Sequence, residues 1–93
     1  MDLFNREGKT KRAAMEFNYW YWNFCDAYIE GDRHASGRYP QSDWVTHWNA
    51  LDHAIRLTKD LHKIEFGKEQ MYELYAPEFN RRYQSDIPER FTP

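Results

Sequence analysis

The segment FNYWYWNFCDAY, residues 17–28, decides the fold of this chain. Its tyrosine, tryptophan and phenylalanine side chains favour a strand by composition alone. The flanking segments KRAAMEF, residues 11–17, and CDAYIE, residues 25–30, instead repeat apolar residues at helical spacing. We therefore predict that the whole segment is helical and that the fold class is all-α.

At 100° per residue, the apolar side chains of this helix form two stripes on nearly opposite sides. The first stripe is typical of a face that packs into a core, and consists of Ala13, Phe17, Trp20, Tyr21, Phe24 and Tyr28. The second stripe consists of Met15, Tyr19, Trp22 and Ile29. One neighbouring helix buries only one stripe, so we predict that the second stripe meets another chain or is covered by the C-terminal segment.

Capping residues and helix breakers predict the boundaries of two long helices. The first helix is expected over about 10–30, with Thr10 as its N-cap and Gly31 as its stop. Residues 31–41, rich in polar residues and containing Pro40, are predicted to form a loop. The second helix is expected over about 42–66, because Ser42 and Asp43 form a start signal.

The C-terminal third is predicted to be more irregular. A short third helix is expected over about 68–75, followed by a last turn over 77–83 that begins at Pro77. Residues 84–93 are expected to form an extended tail that contacts the core through Ile87 and Phe91. The predicted architecture is thus a single domain, 1–93, made of a long antiparallel helical hairpin, a short third helix and an extended C-terminal tail. Because so short a chain leaves apolar stripes uncovered, self-association is expected.

Composition narrows the classes of function. Aromatic residues make up 18% of the 93 residues, which excludes a disordered chain. The formal charge of -2 provides no overall attraction to nucleic acid or anionic lipid. No apolar run is long enough to cross a bilayer, so no membrane association is expected. The single cysteine, Cys25, excludes an internal disulfide and favours a cytoplasmic location.

Catalytic and metal-binding motifs are weak. Cys25 requires a nearby base to act as a nucleophile, and Asp26 opposes formation of the thiolate, so we interpret Cys25 as a packed side chain. Two pairs of candidate metal ligands share a helix face, Asp43 with His47 and His62 with Glu65. Two ligands do not make a site. We predict no catalytic residue, no metal, no cofactor and no enzymatic activity.

Two basic clusters support an alternative. Lys9, Lys11 and Arg12 open the first helix, and Arg81 and Arg82 precede Tyr83. Basic residues beside aromatic rings are typical of proteins that bind single-stranded nucleic acid or nucleotides, because phosphates meet charge and bases stack on rings. A solvated basic face is the structural alternative.

The leading hypothesis is a small non-enzymatic protein-binding module. In general style the chain resembles small bacteriophage or mobile-element proteins that bind a host protein and inhibit it by occupying its surface. The predicted anchors are Tyr19 and Trp22, flanked by Met15 and Ile29, with Arg33 and Tyr39 of the loop as further contacts. The partner is another protein, including a second copy of this chain. A structural subunit of a larger assembly is a further alternative.

Overall fold

The computed structural model describes the backbone of residues 2–34 and 43–92 and the side chains of residues 8–30 and 43–92. Within these ranges the chain forms three helices and no strand: α1, Asp2–His34; α2, Asp43–His62; and α3, Lys68–Tyr83. Helices α1 and α2 pack closely. The prediction of an all-α fold is confirmed.

Helix α1 is longer than predicted at both ends. It begins at Asp2, so Thr10 is not its N-cap, and it continues through Gly31 to His34. Each glycine inside a helix costs about 1 kcal/mol, which a long helix tolerates once its middle is fixed by packing. The first four residues of the predicted 31–41 loop thus belong to α1. The rest of that loop, and the Ser42 start signal, lie outside the described residues.

Helix α2 ends at His62, four residues before the predicted end at 66. Lys63 takes a left-handed backbone conformation, with φ of 58°, and its N–H donates to the carbonyl of Lys59 at 3.0 Å. This conformation ends the helix. In the connection that follows, Phe66 packs edge-on against Phe17 of α1, with ring centroids 5.3 Å apart.

Helix α3 is one continuous helix, so the prediction of a short helix over 68–75 with a separate turn over 77–83 is wrong. Pro77 lies inside it and has no N–H to donate to the carbonyl of Glu73. Glu73 is exposed, where water can hydrate that carbonyl. Ala76 and Phe79, on either side of Pro77, are fully buried. Their burial on the same face offsets the cost of the proline.

The C-terminal tail is held by α3. The side-chain amide of Asn80 donates to the carbonyl of Ile87 at 3.1 Å and accepts the N–H of Ile87 at 2.9 Å. Ile87 is only 6% exposed, and the ring of Phe91 stacks on Trp48 of α2 at 5.1 Å. The predicted contacts of Ile87 and Phe91 with the core are confirmed.

Candidate partner-binding surface

A buried polar network fixes the rotation of α1 about its own axis. This rotation decides which side chains of α1 remain exposed. The hydroxyl of Tyr21 on α1 lies 2.5 Å from Nδ1 of His47 on α2. The Nε2 of His47 lies 3.0 Å from the backbone carbonyl of Tyr72 on α3. A carbonyl only accepts, so Nε2 carries the proton and Nδ1 accepts from Tyr21. The network joins all three helices through one neutral imidazole.

Burial keeps this network neutral. Desolvation lowers the pKa of His47 to about 4, although its bond to the Tyr72 carbonyl acts in the opposite direction. Desolvation also raises the pKa of Tyr21 well above its usual range. His47 therefore serves the core, rather than forming a metal-ligand pair with Asp43.

Cys25 lies in the same core and is fully buried. Desolvation raises the pKa of its thiol to about 12, with a smaller contribution from the Asp26 carboxylate. The thiol is therefore protonated at neutral pH, which removes its nucleophilic form. The interpretation of Cys25 as a packed side chain is confirmed.

The first stripe of α1 forms the face that packs inside the fold. Ala13, Phe17 and Tyr21 are buried. The other three members are half-buried and contact histidines of α2: Trp20 lies against His62, and Phe24 and Tyr28 lie against His53. The predicted role of this stripe is confirmed.

The second stripe is divided by the fold. Met15 is 67% exposed and Tyr19 is 65% exposed, whereas Trp22 and Ile29 are half-buried and pack against the core. Trp22 contacts the ring of Tyr75 and lies under the guanidinium of Arg82 at 4.4 Å. Arg82 reaches Trp22 because α3 continues past Pro77, which the sequence did not predict. Met15 and Tyr19 thus remain as the exposed part of the stripe, called here the Met15–Tyr19 face.

Asn18 joins α1 to α3 beside this face. Its side-chain oxygen accepts from the indole N–H of Trp22 at 3.2 Å and from the hydroxyl of Tyr75 at 3.1 Å. Leu74, the residue before Tyr75, is 66% exposed. Leu74 is therefore a further exposed apolar side chain, on the helix that contacts α1 through Tyr75. Leu74 belongs to no apolar stripe, so the periodicity of the sequence does not identify it.

The two basic clusters have different surroundings. Lys9, Lys11 and Arg12 are exposed near the start of α1, where a shallow depression lined by Lys11, Arg12 and Glu16 continues to Met15. In the other cluster, Arg81 forms an ion pair with Glu78 at 2.5 Å, and Arg82 covers Trp22. Trp22 is ten residues, about 15 Å, along α1 from Arg12. The structure does not bring the clusters together.

Several predicted features receive no support or lie outside the described residues. The side chains of Arg33 and Tyr39, the predicted partner contacts of the loop, lie outside the described residues. Each member of the predicted metal-ligand pair His62 and Glu65 has another partner. His62 lies 2.9 Å from the Glu16 carboxylate, and the Glu65 carboxylate lies 3.5 Å from the Lys59 ammonium. Within the described ranges, no three side chains of His, Cys, Asp or Glu are grouped as a metal site would require. No described helix combines the length and apolarity that crossing a bilayer demands.

No known protein family matches this chain, and neither the curated proteins nor the solved structures include a significant match to its sequence or fold. Function is therefore inferred from the surface itself.

Proposed function

We propose that this protein is a small non-enzymatic protein-binding module that acts through the Met15–Tyr19 face. The observation that carries the proposal is the exposure of two large apolar side chains one helical turn apart, on a helix whose other described aromatic side chains are buried or half-buried. Methionine and tyrosine are both enriched at protein interfaces. Tyrosine also carries a hydroxyl that can form a directional hydrogen bond with a partner.

We further infer that α1 and α2 form an antiparallel hairpin. The order of their contacts supports this: His62, the last residue of α2, meets Glu16, whereas His53 meets Tyr28. Residues later in α1 thus contact residues earlier in α2. On this arrangement the part of α1 before Ala13 extends past the end of α2. The exposure of residues 8–12 is in keeping with such a projecting arm.

The projecting arm extends the proposed surface and favours a partner with acidic groups. Lys11 and Arg12 adjoin Met15, so a partner that covers Met15 also meets their positive charge. Such charge complementarity directs association and orientation more than it adds affinity. Two kinds of partner fit the proposal: a second copy of this chain, and a host protein whose surface is occupied and inhibited.

The alternative of a single-strand nucleic acid or nucleotide binder requires free cations beside free rings. Arg81 and Arg82 are instead engaged by Glu78 and Trp22. Tyr19 remains as an exposed ring near the first basic cluster. The geometry therefore favours a protein partner, and the capture experiment below separates the two.

Affinity capture from a bacterial extract tests the proposal with three immobilised forms: the wild type, the double variant M15S/Y19S and the single variant W44S. Trp44 is a matched control because it is 53% exposed and precedes His62 by eighteen residues, about 27 Å along α2. We expect the wild type and W44S to retain the same protein and the double variant to lose it.

Capture of nucleic acid sensitive to salt would support the alternative instead. Equal capture by all three forms would contradict the assignment of the Met15–Tyr19 face. Circular dichroism of each variant verifies that the helices remain folded.

A further inference from the structure

A second feature, at the other end of α2, is a cleft between α2 and the C-terminal tail. It has a volume of about 280 Å³. Its walls are Trp44 and Trp48 of α2, Tyr72 of α3, and Pro88, Arg90 and Phe91 of the tail. Aromatic walls with few polar groups are typical of sites for small ligands.

One side of the cleft is built from side chains that already have partners. Trp48 stacks on Phe91, with the two rings 10° from parallel. The ammonium of Lys68 lies over the Trp48 ring, 4.0 Å from its centroid, in a cation–π contact. The hydroxyl of Tyr72 donates to the carbonyl of Pro88 at 2.8 Å. These contacts fix the shape of the cleft without requiring a ligand.

Two groups at the cleft remain unused within the described part of the chain. The indole of Trp44 is 53% exposed and makes no hydrogen bond or ring contact there. The guanidinium of Arg90 forms no ion pair with a described residue. Both belong to the lining of the cleft. An aromatic face and a cation that no described residue engages therefore lie at one small site.

The charges around the cleft favour an anion. Arg90 is a cation, and no carboxylate is among the lining residues. The nearest carboxylates in sequence have other partners: Asp43 accepts from the hydroxyl of Ser85 at 2.6 Å, and Glu89 lies 3.5 Å from the amide of Asn80. A guanidinium matches carboxylate and phosphate groups through paired N–H donors.

We propose that this cleft binds a planar aromatic ring that carries one anionic group, a carboxylate or a phosphate. The ring stacks on Trp44 and the anion pairs with Arg90, with the hydroxyl of Thr92 as a further donor. The volume sets the size, because ligand sites usually span about 300–1,000 Å³ and this one lies at the lower limit. A single ring system with its anionic group is of a size that fills this volume.

The site is distinct from the Met15–Tyr19 face, so its test is independent of the proposed function. The full chain, labelled with ¹⁵N, is titrated with adenosine monophosphate and with N-acetyltryptophan, and the four indole N–H signals are followed by NMR. Adenosine and N-acetyltryptophan amide serve as the uncharged controls. We expect at least one anionic ligand to shift the Trp44 signal saturably, and its uncharged control to bind about tenfold more weakly.

The preferred anion separates the two sources: tighter binding of the monophosphate indicates a nucleotide, and tighter binding of N-acetyltryptophan indicates an aromatic carboxylate. Replacing the exposed Arg90 in R90Q should weaken binding about tenfold, whereas R56Q, at an exposed position of α2 about 18 Å along the helix from Trp44, should leave it unchanged. W44L should remove the stacking of the ligand ring on Trp44 and so weaken the binding of each ligand.

Three results would overturn the proposal. One is the absence of a saturable shift with both anionic ligands. Another is equal affinity for charged and uncharged ligands, or equal loss in R90Q and R56Q. The third is binding of a proline-rich peptide at Trp44 while the ring ligands have no effect, since that would assign the cleft to an extended peptide. Far-ultraviolet circular dichroism of R90Q and W44L verifies that a loss of binding is not a loss of folding.

Discussion

At the residue scale, His47 is the side chain on which the arrangement of the three helices depends. It is fully buried, and its two ring nitrogens are satisfied by Tyr21 and by the carbonyl of Tyr72. Protonation would turn Nδ1 from an acceptor into a donor facing the Tyr21 hydroxyl, and would place a charge in the core. The neutral form is therefore the form that the fold requires.

We expect stability to fall on mild acidification because of His47. Its pKa is about 4 in the folded protein and 6.5 without the fold, so the unfolded chain binds more protons between these values. The contribution is complete above pH 6.5 and is lost as the pH falls toward 4. Between about pH 7 and about pH 5 the free energy of unfolding should decrease by about 2 kcal/mol.

Urea unfolding at a series of pH values measures this decrease. The control is H47Q, whose amide offers a donor and an acceptor but does not titrate in this range. Its stability should vary less between pH 7 and pH 5 than that of the wild type. The same pH dependence in both proteins would show that other groups cause it.

Removal of one hydroxyl tests the same network from the side of α1. In Y21F, the buried Nδ1 of His47 loses its donor, which should lower the free energy of unfolding by about 1–3 kcal/mol. Y28F removes a comparable bond, 2.7 Å long, between the half-buried Tyr28 and the exposed His53. Its cost should be below about 1 kcal/mol, and denaturant unfolding compares the two. Equal effects would mean that burial does not decide the value of these bonds.

Sequence periodicity predicted the inner face of α1 correctly but could not separate Tyr19 from Trp22. Both belong to one stripe, and only the position of α3 distinguishes them. Trp22 lies 40° around the helix from Asn18 and meets Tyr75 and Arg82, whereas Tyr19 lies farther from that contact. This information is tertiary, because it depends on where a third helix packs and on how far it extends.

At the element scale, α3 shows how packing overrides a helix breaker. Pro77 predicts a boundary from the sequence, and the cost of an interior proline is about 3 kcal/mol relative to alanine. The flanking Ala76 and Phe79 are fully buried only if the helix continues. The continuation also places Asn80 where it holds Ile87 of the tail, and brings Tyr83 to Asp26 of α1.

Replacing this proline should therefore stabilise the protein. P77A restores the N–H that donates to the carbonyl of Glu73, while losing the restriction that proline imposes on the unfolded chain. The expected net gain is about 1–3 kcal/mol in the free energy of unfolding, measured by thermal or urea unfolding. E73A, at the exposed acceptor residue, should change stability much less. A loss of stability in P77A would show that packing of the half-buried proline ring outweighs the restored bond.

At the scale of the whole molecule, the helices differ greatly in length. Helix α1 has 33 residues, against 20 in α2 and 16 in α3. Among the described side chains of α1, burial begins at Ala13, and residues 8–12 are all exposed. The all-α class and the core face followed from periodicity, but the true ends of α1 did not, because capping signals at Thr10 and Gly31 are weaker than helix propagation from a packed centre.

The exposed cleft near the tail could not be predicted either. Ile87 and Phe91 were identified as contacts, since they are the apolar residues of an otherwise polar tail. Trp44 and Arg90 acquire their relation only when Phe91 stacks on Trp48 and the tail turns back along α2. Sequence patterns predict which side chains are buried. They do not predict which exposed side chains lie next to one another on the folded surface.

On the proposed function, the Met15–Tyr19 face is surplus to the fold and is completed by another chain. Sedimentation equilibrium over a range from micromolar to millimolar protein tests this claim most directly for a second copy of the chain. We predict that the mass of the wild type rises with concentration, and that M15S/Y19S remains a monomer with unchanged helicity. A wild-type protein that stays monomeric throughout would contradict completion of this face by a second copy, and a double variant that associates as the wild type does would contradict the assignment of this face.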